Sequence, residues 1–188
     1  MKHLIKGLLI LILSSTAMEA HCQQTESTPR FTREFLEYIN RTRERGCNCG
    51  GEYMPPARPL VWNNVLEIAA MGHAQDMADR NYFSHTSKDG RTMEDRIALA
   101  GYTFKGYKDF AIGENIAMGQ MSIPEVMQGW FKSPGHCKNL MNPQFKEVGV
   151  AQSGEYWVQD FGGRTPFSPE EQRMIKSGKY RLIEKNRR

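Results

Sequence analysis

Two histidines and two glutamates, each in its own short segment, are the side chains of this sequence that could do chemistry together: His85, Glu114, Glu125 and His136. Two imidazoles that converge with carboxylates can hold a divalent metal while water fills the open positions. A carboxylate beside an imidazole can also accept its N–H, which fixes the tautomer of the ring and raises its basicity. These residue types therefore predict a polar site for a divalent metal, Zn²⁺ most readily, if the fold brings them together.

The segments around these residues carry a family resemblance. In chain order they are Phe83-Ser84-His85-Thr86, Gly113-Glu114-Asn115-Ile116-Ala117, Pro124-Glu125-Val126 and Ser133-Pro134-Gly135-His136-Cys137. Together they resemble the CAP superfamily of extracellular proteins (cysteine-rich secretory, antigen 5 and pathogenesis-related 1 proteins), in its single-domain bacterial form. The resemblance implies a three-layer α-β-α sandwich with a small, mainly antiparallel sheet. It also implies one cleft lined by both histidines and both glutamates, where divalent metal is often found. His85 and His136 are then the expected metal ligands, and we expect the domain to fold without the metal.

Two interpretations of Glu125 stay open. Ser122 and Glu125 form an S-x-x-E capping box at the start of a helix, in which the carboxylate would reach back to the Ser122 backbone N–H. The helix dipole also favours an anion there, and the resemblance places this glutamate in the cleft. His73, in contrast, lies on an apolar helical stripe, so we expect it in the core rather than as a ligand.

The motifs narrow the function to a few classes. The sequence has no H-E-x-x-H pair, no G-x-S-x-G elbow and no Walker A loop. We favour a binding or cell-envelope interaction module for a small ligand, lipid, glycan or peptide, and we expect a monomer. The alternative is an extracellular hydrolase (protease), either metal-dependent or of the Ser/His/Glu type implied for some relatives, with Ser84 adjoining His85. A structural envelope protein with a vestigial cleft is the third class.

Hydrophobic spacing predicts an α+β fold. Four helices are expected: one from Thr32 to Gly46, one from Asn63 or Asn64 to Asn81, one over residues 93–100 and one from about Ile123 that Ser133-Pro134-Gly135 breaks. Residues 148–151 and 156–159 are predicted as two strands joined by a tight turn, and residues 47–59 as a loop. Helices covering a small antiparallel sheet make an α+β domain.

The four cysteines are Cys22, Cys47, Cys49 and Cys137. Four cysteines allow three pairings, which sequence alone does not separate. The resemblance implies a Cys49–Cys137 disulfide, which would close a loop of about 90 residues and stabilise the domain by roughly 4 kcal/mol. Cys22 and Cys47 remain: they could pair with each other, or Cys22 could carry a lipid anchor.

The first 20 residues read as a secretory signal peptide. Lys2 and Lys6 precede a short apolar run and then small residues, and cleavage after Ala17 or after Ala20 stays open. That run is too short to span a membrane, which takes about 20 residues, and we expect no transmembrane span. The expected location is therefore secreted, periplasmic or extracellular, with lipid anchoring through Cys22 as an option.

Charge is distributed unevenly along the chain. The formal net charge is +4, yet residues 22–167 carry 16 Lys/Arg and 17 Asp/Glu, while residues 168–188 carry seven Lys/Arg and three Asp/Glu. A nucleic-acid-binding domain would carry a basic face itself, so we expect no nucleic-acid partner. We divide the chain into a signal peptide (1–20), a linker (21–30), a CAP-like domain (31–164) and a basic C-terminal tail (165–188).

Overall fold

The structure is a computed structural model that describes residues 28–179. The signal peptide, Cys22 and the end of the basic tail lie outside the described residues. The helices are α1 (Pro29–Arg45), α2 (Asn64–Arg80), α3 (Met93–Leu99), α4 (Ile123–Lys132), α5 (Pro134–Met141) and α6 (Pro169–Lys176). The strands are β1 (Cys47–Cys49), β2 (Glu52–Met54), β3 (Val61–Trp62), β4 (Tyr107–Met118), β5 (Glu147–Ser153) and β6 (Tyr156–Pro166). None of the described helices is long and apolar enough to cross a membrane.

Side-chain caps begin most of these helices. Thr28 caps α1, Asn63 caps α2 and Thr92 forms a capping box with Asp95 at α3. Each cap satisfies backbone N–H groups that the first turn of a helix leaves unpaired. The starts of α2 and α3 are those that the sequence predicts, whereas α1 begins within the segment expected to be linker.

The central sheet has the strand order β3-β5-β6-β4. The short strand β3 runs parallel to β5, and the other neighbours are antiparallel. Strands β5 and β6 form a hairpin, and Gly154 takes a positive φ of 58° in its turn. Strands β1 and β2 form a separate two-stranded hairpin. The mainly antiparallel sheet matches the fold expected from the sequence.

Helices cover both faces of the sheet and make three layers. One face packs against α1, α4 and α5 through a core that includes Phe35, Trp130, Val150 and Trp157. The other face packs against α2 through small side chains such as Ala70, Ala74 and Ala151, together with Met77 and Val158. The α-β-α sandwich predicted from the sequence is confirmed.

Three elements differ from the sequence-based expectation. Residues 107–118 form strand β4, which the sequence analysis did not predict. Some of its buried residues are polar and face other buried polar groups, so the strand lacks the alternation of apolar and polar residues that marks a half-exposed strand. The expected loop after α1 contains the β1–β2 hairpin. Pro134 does not only follow the end of α4; it also occupies the first turn of α5. The backbone N–H that a proline lacks would have no partner within the helix at that position.

Strand β5 and helix α2 approach each other most closely at Gly149. A Cβ atom at this position would lie 2.0 Å from the backbone nitrogen of Glu67. A change of side-chain rotamer cannot relieve this clash, because the atom that is struck belongs to the backbone. We expect Gly149→Ala to lower the free energy of unfolding by at least about 1–3 kcal/mol, the usual range for overpacking. Urea denaturation measures this effect.

Gly129→Ala is the matched control for this substitution. Gly129 lies in α4 with open space around its Cα, so added helix propensity should stabilise the protein by about 0.5–1 kcal/mol. Equal effects of the two substitutions would refute the close packing of β5 on α2.

The described part of the basic tail forms α6, which has no buried residue. Its Glu171 carboxylate accepts a hydrogen bond from Lys108 Nζ at 2.8 Å. The hydrogen bond from Lys108, followed by that from the Ser168 backbone, lowers the pKa of Glu171 to about 2. An exposed pair of this kind adds little stability, since solvent screens it.

Removal of residues 168–188 should therefore leave the domain intact. We expect truncation after Phe167 to change the free energy of unfolding by less than about 1 kcal/mol, measured by thermal denaturation at low and high salt. A large loss of stability would show that the tail docks on the domain more extensively than through this pair.

Candidate functional site

Glu114 is the buried centre of the site. Its side chain is 2% exposed on β4, and its Oε1 accepts the His85 Nδ1–H at 2.7 Å. Because a carboxylate only accepts, this contact places the proton of a neutral His85 ring on Nδ1 and leaves the Nε2 lone pair free. The His85 side chain is 56% exposed. The ring can therefore offer Nε2 to a metal or ligand.

Arg96 compensates the buried carboxylate. Its Nη2 donates to Glu114 Oε2 at 2.6 Å, and the Arg96 side chain is 5% exposed. Its Nη1 donates to the backbone carbonyls of His85 at 3.0 Å and Arg91 at 3.2 Å. One guanidinium on α3 therefore holds both the carboxylate and the loop that carries His85. Sequence analysis missed Arg96, although its position three residues after Met93 puts it on the buried face of that helix.

Asp160 lies directly across the strand pair from Glu114. Its side chain is fully buried, and no hydrogen bond of ordinary length from the described residues reaches either carboxyl oxygen. Burial, and then the charge of Glu114, raise the pKa of Asp160 well above its ordinary value. Two adjacent buried carboxyl groups cannot readily both ionise, so Asp160 stays protonated beside the Glu114 carboxylate. Nothing in the sequence around Asp160 predicted this partner.

A network of amides joins the His136 helix to the Glu114 strand. Asn115, fully buried, donates to the His136 carbonyl at 3.3 Å and to Gln159 Oε1 at 3.0 Å. Asn139 of α5 donates to the Glu114 carbonyl at 3.1 Å and to Asn115 Oδ1 at 2.9 Å. These bonds fix α5 against β4. The Asn115 amide is thus engaged in structural hydrogen bonds.

His136 lies in the first turn of α5, which begins within the segment expected to break the preceding helix. Burial, and then the charge that His85 can carry, lower the pKa of His136. The Asn115 side chain, which bonds the His136 carbonyl, belongs to the residue next to Glu114, so the start of α5 lies against the strand that carries Glu114. Because a depressed pKa keeps His136 neutral at neutral pH, its ring is in the form that binds metals.

Glu125 lies in the first turn of α4 and is exposed. Its Oε2 accepts the Met121 backbone N–H at 2.9 Å, so the expectation that the carboxylate would reach the Ser122 N–H is wrong by one residue. The other half of the predicted cap is present, because Ser122 Oγ accepts the Glu125 N–H.

A surface groove of about 700 Å³ passes Glu125. Its lining also includes Tyr38, Cys47, Gln128 and Phe131. The residues around the groove do not include His85, Glu114 or His136. His85 thus bonds Glu114, the His136 backbone bonds the neighbouring Asn115, and Glu125 lies in a separate groove between α1 and α4.

Two other residues weighed in the sequence have structural partners. His73 is fully buried on α2, its Nε2 lies 2.9 Å from the Ser84 carbonyl and burial lowers its pKa, so its assignment to the core is confirmed. Ser84 Oγ accepts the Thr86 backbone N–H at 3.1 Å. The serine hydroxyl is thus held by the turn that presents His85.

Three sulfur atoms form a cluster beside the groove. Cys49 and Cys137 make a disulfide with a Cα–Cα distance of 5.4 Å, the pairing that the family resemblance implies. The Cys47 Sγ lies 3.7 Å from the Cys137 Sγ and 3.9 Å from the Cys49 Sγ. Metals bind thiolates, and the disulfide removes two of the three. With the disulfide closed, this cluster does not fit a metal.

A family comparison agrees with this geometry. Residues 36–161 match the model of the cysteine-rich secretory protein family, CAP. The chain belongs to the CAP family. It is 38% identical over 140 residues to the Bacillus subtilis protein YkwD, a match that covers 73% of this chain and 49% of YkwD. The chain thus spans about half the length of this curated relative.

Solved CAP structures share the fold. An extracellular protein of Bacillus anthracis that contains an SCP domain is 30% identical with a TM-score of 0.58, over 72% of this chain and 44% of that one. An outer surface protein of Borrelia burgdorferi is 20% identical with a TM-score of 0.59, over 74% of this chain and 97% of that one. The second likeness shows the fold alone.

The protonated state of Asp160 has a consequence for stability. An unfolded aspartate loses its proton near pH 4, whereas the folded protein keeps it at higher pH because the pKa is raised. The unfolded state then binds fewer protons than the native state, so stability falls as the pH rises above about 4. We expect Asp160→Asn, which cannot ionise, to exceed the wild type in stability at pH 8 by about 1–3 kcal/mol, with the gap narrowing towards pH 4.

Asp109→Asn, at an exposed position of the neighbouring strand β4, is the control and should show no such pH-dependent gap. Urea denaturation of the three proteins at pH 4, 6 and 8 measures the effect. A constant difference between Asp160→Asn and the wild type across this range would contradict the neutral state of Asp160.

Proposed function

We propose that this protein is an exported CAP module that acts by binding, and that its His85–Glu114–His136 site holds a divalent metal, Zn²⁺ most readily. The observation that carries the proposal is the pairing of His85 Nδ1 with the buried Glu114 carboxylate. That contact keeps the proton on Nδ1, so the exposed His85 ring has a free lone pair on Nε2. In metalloproteins the same carboxylate–imidazole pairing orients the ligand and increases its basicity.

The state of His136 supports the same proposal. Its depressed pKa makes it a neutral imidazole at neutral pH, and the amide network fixes its helix beside Glu114. Two imidazoles supply two strong ligands, which is fewer than the three or four of high-affinity zinc sites. Water, or Glu125 if the cleft closes around it, would fill the remaining positions. We therefore expect weak, reversible binding, with the metal dispensable for folding.

A binding role also fits the surroundings of the site. The Ser84 hydroxyl is engaged with the Thr86 N–H of its own turn, and no described contact aims it at an imidazole, as the activation of a nucleophile requires. The open groove that passes Glu125 offers apolar and polar lining to a small ligand, lipid, glycan or peptide. Export to the cell envelope or the medium completes the proposal, and the similar Bacillus anthracis protein is an extracellular one.

Calorimetric titration with Zn²⁺ tests the metal site. We expect His85→Ala/His136→Ala to abolish binding and Glu114→Gln to weaken it about 10–100-fold, since the loss of an outer carboxylate partner has that effect. Affinity should fall as the pH drops below about 6, because a protonated imidazole cannot ligate. Equal binding by the wild type and the double variant would remove the metal claim.

Glu125→Gln serves as the matched control in this titration. Wild-type affinity in Glu125→Gln would assign Glu125 to the helix cap alone, whereas a loss would place it in the cleft. Melting curves of each variant separate loss of binding from loss of folding.

The same proteins distinguish a binding module from a hydrolase. We expect no turnover of a broad library of peptides and esters by the wild type with or without Zn²⁺. Turnover that disappears in His85→Ala/His136→Ala would replace the binding role with metal-dependent or Ser/His/Glu-type hydrolysis.

A further inference from the structure

The sulfur cluster contains a free thiol next to a disulfide. Cys47 is the free cysteine of the described chain. Its Sγ lies at nearly equal distances, 3.7 Å and 3.9 Å, from the two bonded sulfurs of Cys137 and Cys49. Disulfides exchange when a thiolate attacks one of their sulfurs. The three sulfurs are in contact, and the Cys47 side chain must rotate from its position beside the disulfide into line with the bond that it breaks.

We infer that Cys47 is a thiol–disulfide exchange site whose substrate is the protein's own Cys49–Cys137 disulfide. The Cys47 thiolate attacks the Cys137 Sγ, the Cys49–Cys137 bond breaks, and a Cys47–Cys137 bond forms. Cys49 leaves as a thiolate and takes up the proton that Cys47 released. One disulfide and one thiol are present before and after the step, so no oxidant or reductant is consumed.

Chain entropy does not distinguish the two long-range pairings. Cys49–Cys137 closes a separation of 88 residues and Cys47–Cys137 one of 90. The entropy of loop closure depends on the logarithm of the loop length, so these loops constrain the unfolded chain equally. Attack on Cys49 instead would join Cys47 to Cys49 and lose the long-range link, which makes attack on Cys137 the favoured route.

The environments of the two cysteines also permit both states. Cys49 is fully buried among apolar side chains, where a reduced cysteine packs as a small apolar residue. Cys47 is half-buried and lines the groove that Glu125 shares. Exchange therefore moves the free thiol between an accessible position at the groove and an inaccessible one in the core. Thiol reagents would modify Cys47 when Cys49 is bonded to Cys137, and they could not modify it when Cys47 is itself bonded to Cys137.

Burial raises the pKa of the Cys47 thiol. At neutral pH the thiolate is then a small fraction, and exchange is slow enough for acid to trap the pairings. This makes the populations measurable by alkylation after an acid quench.

The experiment uses the full chain with Cys22→Ser in every protein, so that three cysteines remain. After incubation at pH 8, samples are quenched in acid, denatured, alkylated with a maleimide and mapped by fragmentation mass spectrometry. We expect two singly labelled species, one at Cys47 and one at Cys49, whose ratio approaches a plateau that does not depend on protein concentration. Label at Cys47 alone, or a ratio that varies with concentration, would overturn the intramolecular exchange.

Two further variants check the geometry and the role of the thiol. Cys49→Ser should form the Cys47–Cys137 disulfide, with no free thiol by thiol titration and a Tm within a few degrees of the wild type. Two free thiols in Cys49→Ser would overturn the proposal, because the alternative bond would then be inaccessible. Cys47→Ser should carry no label at any time, which controls for reduction or scrambling by contaminants; label in it would assign the exchange to an outside thiol.

Discussion

The ion pair between Glu114 and Arg96 is the interaction on which the rest of the site depends. A carboxylate that is 2% exposed would be strongly destabilised without a partner, because burial removes its hydration. The guanidinium of Arg96 compensates the charge of this carboxylate by pairing with it. The same guanidinium also bonds the backbone of the loop that carries His85. Because β4, α3 and that loop meet at these atoms, the position of the exposed imidazole follows from a buried charge pair.

The neighbours of the pair extend this constraint. Asp160 adds a second carboxyl group beneath Glu114 and stays neutral, so the site holds one negative charge rather than two. The amides of Asn115 and Asn139 attach α5, and with it the backbone of His136, to the same strand. Glu114, Arg96 and these amides therefore form a connected polar support behind His85. A rigid support of this kind suits a site that must present ligand atoms without moving.

The cysteines add a covalent constraint to the helix that carries His136. The Cys49–Cys137 bond ties the β1–β2 hairpin to α5, and α5 carries both His136 and Cys137. Cys137, whose sulfur is in the disulfide, thus directly follows His136 in the sequence. This places the covalent link and the candidate metal ligand on a single helical turn, and it also explains why the hairpin, which has little core of its own, stays ordered.

Local sequence determined much of the architecture. The capping residues Asn63 and Thr92 and the apolar spacing of α2 and α4 predicted those helices, because caps and periodicity act within a few residues. The segments around the two histidines and two glutamates sufficed to indicate the family and the sandwich. The proline at position 134 was ambiguous, since proline both ends one helix and begins the next.

Only the tertiary structure decided which polar groups meet. Strand β4 lacks an apolar alternation because Glu114 and Asn115 face partners from β6, α3 and α5, and none of these is near them in sequence. Arg96 and Asp160 have no local signal that marks them as partners of Glu114, because the register of β4 on β6 and the packing of α3 bring them there. The position of the Cys47 thiol, at nearly equal distances from both bonded sulfurs, likewise depends on the packing of the hairpin against α5. The sequence therefore determined the residues that can do chemistry, and the long-range packing determined their charges, tautomers and neighbours, because those depend on atoms that only folding brings within a few ångströms.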